Sequence, residues 1–172
     1  MKTTRDLALI GLYTALLIGA QLALSFISGV EIITLLLAVF AFCFGTWKSL
    51  MLSTAFSLLR CLVFGFFPNV LILYLIYYNL FSLAVSLLAR GLRWCTGLKT
   101  LIIVTLMVGI LTVCFTLLDN VITPVYYGYS LEATKAYFVA SLSILIPHVV
   151  CAVASIIIGF IPLVKLIRRI IK

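Results

Sequence analysis

Charge is what this sequence has least of. Only 9% of its 172 residues are charged, and it contains four acidic residues and a single histidine. Soluble domains carry about 25% charged residues, because a surface in contact with water must be polar. The shortage of charge therefore excludes an ordinary soluble domain and predicts a surface that faces lipid. A single histidine also leaves little for a hydrolytic site. Three of the four acids, Glu31, Asp119 and Glu132, are predicted at the outer face, so no pair of acids is expected within the membrane.

Sequence signatures of enzymes are missing as well. The chain has no G-x-x-x-x-G-K-[ST], no G-x-S-x-G and no H-E-x-x-H, which excludes ATP binding through a P-loop and two common hydrolytic sites. Its five cysteines include no C-x-x-C pair and lie in or beside apolar runs, so they are expected to be small core residues. The net charge of +8 forms no dense basic patch of the kind that binds nucleic acid. We therefore expect no catalytic residue, no metal, no cofactor and no nucleic acid.

Long apolar runs take the place of these features. Hydrophobic residues make up 66% of the chain and its mean hydropathy is +1.38. A helix that crosses a bilayer needs about 20 apolar residues, and runs without alternation exclude the strands of a membrane barrel. The sequence predicts an all-α membrane protein, a bundle of six transmembrane helices in one domain over residues 1–172. The spans are expected at residues 7–27, 32–44, 50–67, 70–89, 101–118 and 136–163, with a tyrosine-rich connection before the last.

The distribution of positive charge predicts the topology. Six crossings place both termini on one side, and ten lysines and arginines fall in the tails and connections of that side. These are Lys2, Arg5, Lys48, Arg90, Arg93, Lys99, Lys165, Arg168, Arg169 and Lys172. The other side holds only Lys135, while Arg60 lies within a span. The positive-inside rule therefore places both termini in the cytoplasm.

Arg60 is the one charged residue that lies well inside a predicted span. It follows Lys48 by twelve residues, which is about 18 Å along a helix and places it in the outer half of the membrane. Glu31 opens the second span at its outer end, within reach of a long arginine side chain. Two interpretations stay open. Arg60 either forms a structural ion pair or extends outward to the interface, or it binds a carboxylate or phosphate of a ligand.

Further polar and aromatic side chains are predicted at the same depth. Tyr74, Tyr77 and Tyr78 recur at helical spacing and suit a flat ring with polar substituents, whereas Tyr127 fits an interfacial aromatic belt equally well. His148 is either a hydrogen-bonded core residue or a ligand contact. The candidate ligand-binding residues are Glu31, Arg60, Asn69, Tyr74, Tyr77, Tyr78, Asn79, Asp119, Asn120, Tyr127 and His148.

Small residues recur every fourth position along the first predicted span, at Gly11, Ala15, Gly19 and Ala23. Such a stripe allows another helix to approach closely, and close packing drives helix association in lipid. The partner helix belongs either to the same bundle or to a separate subunit.

Several short motifs resemble the substrate-binding S component of energy-coupling factor (ECF) vitamin transporters. They are EIITLLL at residues 31–37, followed by Phe44-Gly45 and Lys48, and LVFGF at residues 62–66. Gly11-x-x-x-Ala15 resembles the A-x-x-x-A motif with which that family docks its T subunit, although glycine replaces the first alanine. The resemblance extends over essentially the whole chain.

Membership of that family would imply a multi-pass protein of a bacterial plasma membrane. S components capture a vitamin or related micronutrient in an outer-half pocket, dock on a T subunit with two cytoplasmic ATPases, and topple to release the ligand inside. Gly11, Ala15 and Gly19 are then the expected docking residues. Two other hypotheses stay open: a small secondary carrier or channel that uses Arg60 and Glu31, and a small membrane enzyme or assembly factor.

Overall fold

Six α-helices account for nearly all of the residues that the structure, a computed structural model, describes: 4–26, 32–92 and 97–171. Five of the helices are long and apolar enough to cross a bilayer, and the second, with 12 residues, is shorter. No strand occurs within the described ranges, so the prediction of an all-α chain with six helices is confirmed. The helices are α1 (Thr4–Leu24), α2 (Ile33–Phe44), α3 (Thr46–Phe64), α4 (Pro68–Gly91), α5 (Leu98–Tyr127) and α6 (Leu131–Ile171).

The last two helices are longer than the sequence predicted. Helix α5 continues through Asp119 and Thr123 to Tyr127, so the expected connection is wrong over most of its length. The helix ends where Gly128 adopts φ 64°, and its N–H bonds back to the Pro124 carbonyl, which is a common way to terminate a helix. Helix α6 has 41 residues, about 60 Å, or twice the thickness of the hydrocarbon core.

Side-chain contacts establish which helix ends lie together. Lys48 Nζ lies 2.7 Å from Asp6 Oδ1, which brings the beginnings of α1 and α3 together. Ser86 near the end of α4 donates a hydrogen bond to Thr46 at 3.0 Å. The Arg168 guanidinium near the end of α6 lies 5.4 Å from the Phe42 ring centroid. Both ends of the described chain therefore lie at one end of the bundle.

We call this the basic end. Helix α5 also begins there, because Asn69 at the beginning of α4 bonds to Thr123 near the end of α5, which makes the two helices antiparallel. Seven of the ten cations that the sequence grouped together lie on the helix ends that meet here: Arg5, Lys48, Arg90, Lys99, Lys165, Arg168 and Arg169. The remaining three, Lys2, Arg93 and Lys172, lie outside the described residues.

Helix α2 forms the centre of the bundle. Nine of its 12 residues are buried, and it contacts α1, α3, α4 and α6. Gly159 on α6 permits one of these contacts, since a Cβ at this position would lie 2.7 Å from Leu35 Cδ2. A single residue, Gly45, connects α2 to α3 with φ 82°, a backbone angle that glycine adopts without strain. Gly45 alone therefore forms the connection between the short central helix and α3.

Candidate functional site

An aromatic cluster links α3, α4 and α5 in the half of the bundle away from the basic end. Tyr74, Tyr77 and Tyr78 are all buried on one face of α4. Their rings meet Phe56 of α3 and Phe115 of α5, with centroid separations of 5.3 Å for Phe56–Tyr78 and 4.7 Å for Tyr77–Phe115. The structure thus brings the three predicted tyrosines together. Their burial makes them part of the packing between helices, whatever else they contact.

Arg60 lies beside this cluster, one turn before the end of α3. Its guanidinium carbon is 4.3 Å from the centroid of the Tyr74 ring and 5.3 Å from that of Phe64. Its Nε is buried and has no hydrogen-bond partner among the described residues. Glu31, the partner that the sequence suggested, lies outside the described residues. The structure therefore shows Arg60 stacked on aromatic rings, and its pairing with Glu31 stays a prediction.

A network of hydrogen bonds connects α4, α5 and α6, farther from the basic end than the aromatic cluster. The two carboxylate oxygens of Asp119 accept from Thr123 Oγ1 at 2.7 Å and from the Tyr137 hydroxyl at 2.6 Å. Asn69 donates from Nδ2 to Thr123 at 3.3 Å, and its Oδ1 accepts from the Tyr127 hydroxyl at 3.4 Å. We call these five residues the Asp119 network. It joins three of the predicted site residues, Asn69, Asp119 and Tyr127.

The network borders a cleft of about 170 Å³ between α5 and α6. The His148 ring lies edge-on to Phe115 with the centroids 5.8 Å apart, and Asn120 donates to Ser141 at 2.8 Å beside it. We call this space the α5–α6 cleft. It is lined by Phe115, Thr116, Asp119, Tyr137, Ala140, Ser141, Ile144 and His148.

Thr123, Tyr137 and Ser141 were not among the candidate residues predicted from the sequence. A detectable signal was their helical spacing, since Thr123 follows Asp119 by four residues and Ser141 follows Tyr137 by four. Because the fifth span was predicted to end at residue 118, Asp119 and Thr123 were not considered as neighbours on one helix. Only a continuous α5 aligns Asp119 and Thr123 toward α6.

Asn79 does not join the cleft. Its Oδ1 accepts hydrogen bonds from Ser53 at 2.7 Å and from Thr54 at 3.1 Å, and its Nδ2 donates to the Leu75 carbonyl at 2.8 Å. Asn79 follows Tyr78 by one residue, which is about 100° around a helix, so it faces α3. The structure places this predicted site residue in the contact between α3 and α4.

The stripe of small residues on α1 points away from the bundle. Gly11, Ala15 and Gly19 are exposed, whereas Ile10, Thr14 and Leu17 on the other face are buried. A Cβ built on Gly11 or on Gly19 has no other atom within 4 Å. The interpretation that this stripe packs inside the bundle is therefore wrong for the described part of the chain.

Comparisons with protein-family models, curated proteins and solved structures find no match to this chain. Among the described residues, no group of three or more histidines, cysteines and acids is arranged to hold a metal ion. The geometry therefore offers two features on which function can be argued. One is the α5–α6 cleft with its single carboxylate, and the other is the exposed stripe on α1.

Proposed function

We propose that this chain is the substrate-capturing S subunit of an ECF-type ABC importer. The observation that supports this most is the outward-facing stripe of Gly11, Ala15 and Gly19. Small residues that are exposed to lipid allow the backbone of a second helix to come close, and such contacts hold helices together where no hydrophobic effect operates. A stripe that no described helix covers suits the coupling helix of a T subunit.

The location of the α5–α6 cleft supports the same function. The cleft lies toward the end of the bundle opposite the basic end, and the positive-inside rule orients the basic end to the cytoplasm. A ligand taken up from outside, a vitamin or related micronutrient, would enter this half first. The ATP-binding motifs that the chain lacks would then be supplied by two cytoplasmic ATPase subunits.

Copurification tests the proposal. Tagged protein, coexpressed with the T subunit and ATPases of the same host, is expected to form a stable complex with them. Gly11→Leu and Ala15→Leu are expected to abolish that complex, because a leucine side chain keeps the second helix at a distance. Both positions are exposed, so the isolated variants should fold as the wild type does.

Ala154→Leu is the matched control, because it adds a leucine side chain at another exposed alanine, on α6. This variant should copurify with the partners as the wild type does. Melting curves of the purified subunits would detect any loss of folding. A wild-type chain that never forms the complex would contradict the S-subunit proposal, and uptake into proteoliposomes by this chain alone would favour a secondary carrier.

A further inference from the structure

Asp119 is an acid without a cationic partner among the described residues. Both of its oxygens accept hydrogen bonds, but the donors are the neutral hydroxyls of Thr123 and Tyr137. The ion pair that the structure describes, Lys48–Asp6, lies at the basic end. The carboxylate of Asp119 is therefore hydrogen-bonded by neutral donors and has no cation paired with it among the described residues.

A carboxylate between apolar helices requires compensation. Removal of a charge from water is costly unless an opposite charge accompanies it, and acids within membrane helices usually mark a pathway or a binding site. An ionised carboxylate has about four lone-pair positions, and hydroxyl donors occupy two of those of Asp119. The free positions can accept a donor from a ligand in the cleft that Asp119 lines.

The other walls of the cleft suit a cation. Phe115 and Tyr137 present aromatic rings, and Thr116 and Ser141 present hydroxyls. No lysine or arginine is among the residues that line the cleft, and the basic side chain there is the His148 imidazole, which packs edge-on against Phe115. Aromatic faces attract organic cations, because the face of the ring carries negative electrostatic potential. The Arg60 guanidinium is directed onto the Tyr74 ring and is not part of the cleft wall.

The size of the cleft limits the ligand. A cavity of about 150 Å³ accommodates benzene, and the cleft measures about 170 Å³. The space therefore suits one small ring, or the part of a larger ligand that contains one ring.

We propose that the α5–α6 cleft binds a small organic cation, with an ammonium nitrogen against Asp119 and an aromatic ring or alkyl groups against Phe115 and Tyr137. This inference rests on the proposed capture function and specifies the class of its substrate. It differs from the expectation based on sequence, in which Arg60 would bind an anionic ligand.

Three probes of similar shape and different charge test the proposal: benzylammonium, benzyl alcohol and benzoate. Calorimetry on the full-length purified chain is expected to show saturable binding of benzylammonium, at least tenfold tighter than benzyl alcohol, and none of benzoate. Asp119→Asn should weaken benzylammonium binding at least tenfold. Glu132→Gln also removes one negative charge, but from an exposed residue outside the cleft, and should bind benzylammonium as the wild type does.

Ala140→Trp provides a second route to the same answer if Asp119→Asn fails to fold. Ala140 lines the cleft and is exposed, so tryptophan can fill the cleft while the hydrogen bonds of Asp119 remain. Loss of benzylammonium binding in this variant supports the proposal. Undiminished binding in either variant, or tighter binding of benzoate, would overturn it. Copurification with a T subunit is measured separately, so a failed cation site and a failed transporter assignment give different results.

Discussion

Arg60 shows how aromatic rings can stabilise one charged side chain. Its guanidinium lies over Tyr74 at 4.3 Å and near Phe64 at 5.3 Å. A cation over an aromatic face gains about 0.5–2 kcal/mol, more when water is excluded. Stacking adds a third interpretation to the ion pair and the anion-binding site that the sequence suggested, and it needs neither Glu31 nor a ligand.

A double-mutant cycle measures this interaction. Arg60→Ala and Tyr74→Leu are each expected to destabilise the subunit, and their effects should fall short of additivity by about 0.5–2 kcal/mol. Unfolding in detergent with no ligand added is the appropriate measurement. The pair Arg60→Ala and Phe64→Leu should show a smaller coupling, because Phe64 is farther away. Fully additive effects of the Arg60 and Tyr74 changes would show that the stacking does not stabilise the fold.

The partners of individual residues were only partly predictable from sequence. Tyr74, Tyr77 and Tyr78 lie within one helix, so helical periodicity alone groups them. Asp119 and Tyr137 lie on different helices, and their 2.6 Å hydrogen bond depends on how α5 and α6 align. No local pattern in the sequence predicts how α5 and α6 align.

At the scale of whole helices, Asn79 joins α3 to α4. Its Oδ1 accepts from both Ser53 and Thr54. Hydrogen bonds between membrane helices contribute modestly, on average about 0.6 kcal/mol and at most about 2 kcal/mol. Two bonds to one amide oxygen therefore represent a small but specific stabilisation of this helix pair.

Asn79→Ala is expected to lower the free energy of unfolding by about 1–2 kcal/mol, because both bonds are lost and the two hydroxyls lose their shared acceptor. Thermal or detergent-induced unfolding would measure the change. In a Ser53→Ala, Thr54→Val background the same substitution should have little further effect on the contact between α3 and α4, since the partners of Asn79 on α3 are already absent. A full-sized effect in that background would mean that Asn79 acts by another contact.

The ends of the helices were the least predictable elements. Asp119, Asn120 and Pro124 are typical of a loop when hydropathy alone is considered. In the structure Asn120 and Pro124 are buried within α5. The Asp119 carboxylate and Asn120 Nδ2 bond to α6, whereas Asn120 Oδ1 has no partner among the described residues. Contacts between helices satisfy part of the polar groups that would otherwise need water, and the helix continues where the sequence predicted its end.

For the whole molecule, the distribution of charge was the most informative feature of the sequence. Cations that are far apart along the chain, such as Arg5, Lys48 and Arg168, belong to helix ends that meet at the basic end. The Lys48–Asp6 bridge is partly exposed, and such pairs contribute about 0–1 kcal/mol. Its importance is therefore as a marker of topology, and it adds little to stability.

The short helix α2 determines whether this topology is correct. Its 12 residues extend about 18 Å, less than the hydrocarbon core of about 30 Å, and five crossings without it would place the termini on opposite sides. Yet the ion pair between Asp6 and Lys48 shows that α3 begins at the same level of the bundle as α1. We therefore expect the passage from α1 to α3 to complete a crossing, with both termini on the side that carries the basic end.

Reporter fusions in a bacterial host test this arrangement. Green fluorescent protein fused to either terminus is expected to fluoresce, because it folds in the cytoplasm. Alkaline phosphatase inserted at the turn between Gly128 and Tyr129 should be active, because the turn joining α5 to α6 lies at the opposite end. Fluorescence from only one of the two terminal fusions would show that α2 does not complete a crossing. In that case the contacts that bring Asp6 and Arg168 to the same end of the bundle could not form in the membrane. The proposed outward orientation of the α5–α6 cleft would then be wrong as well.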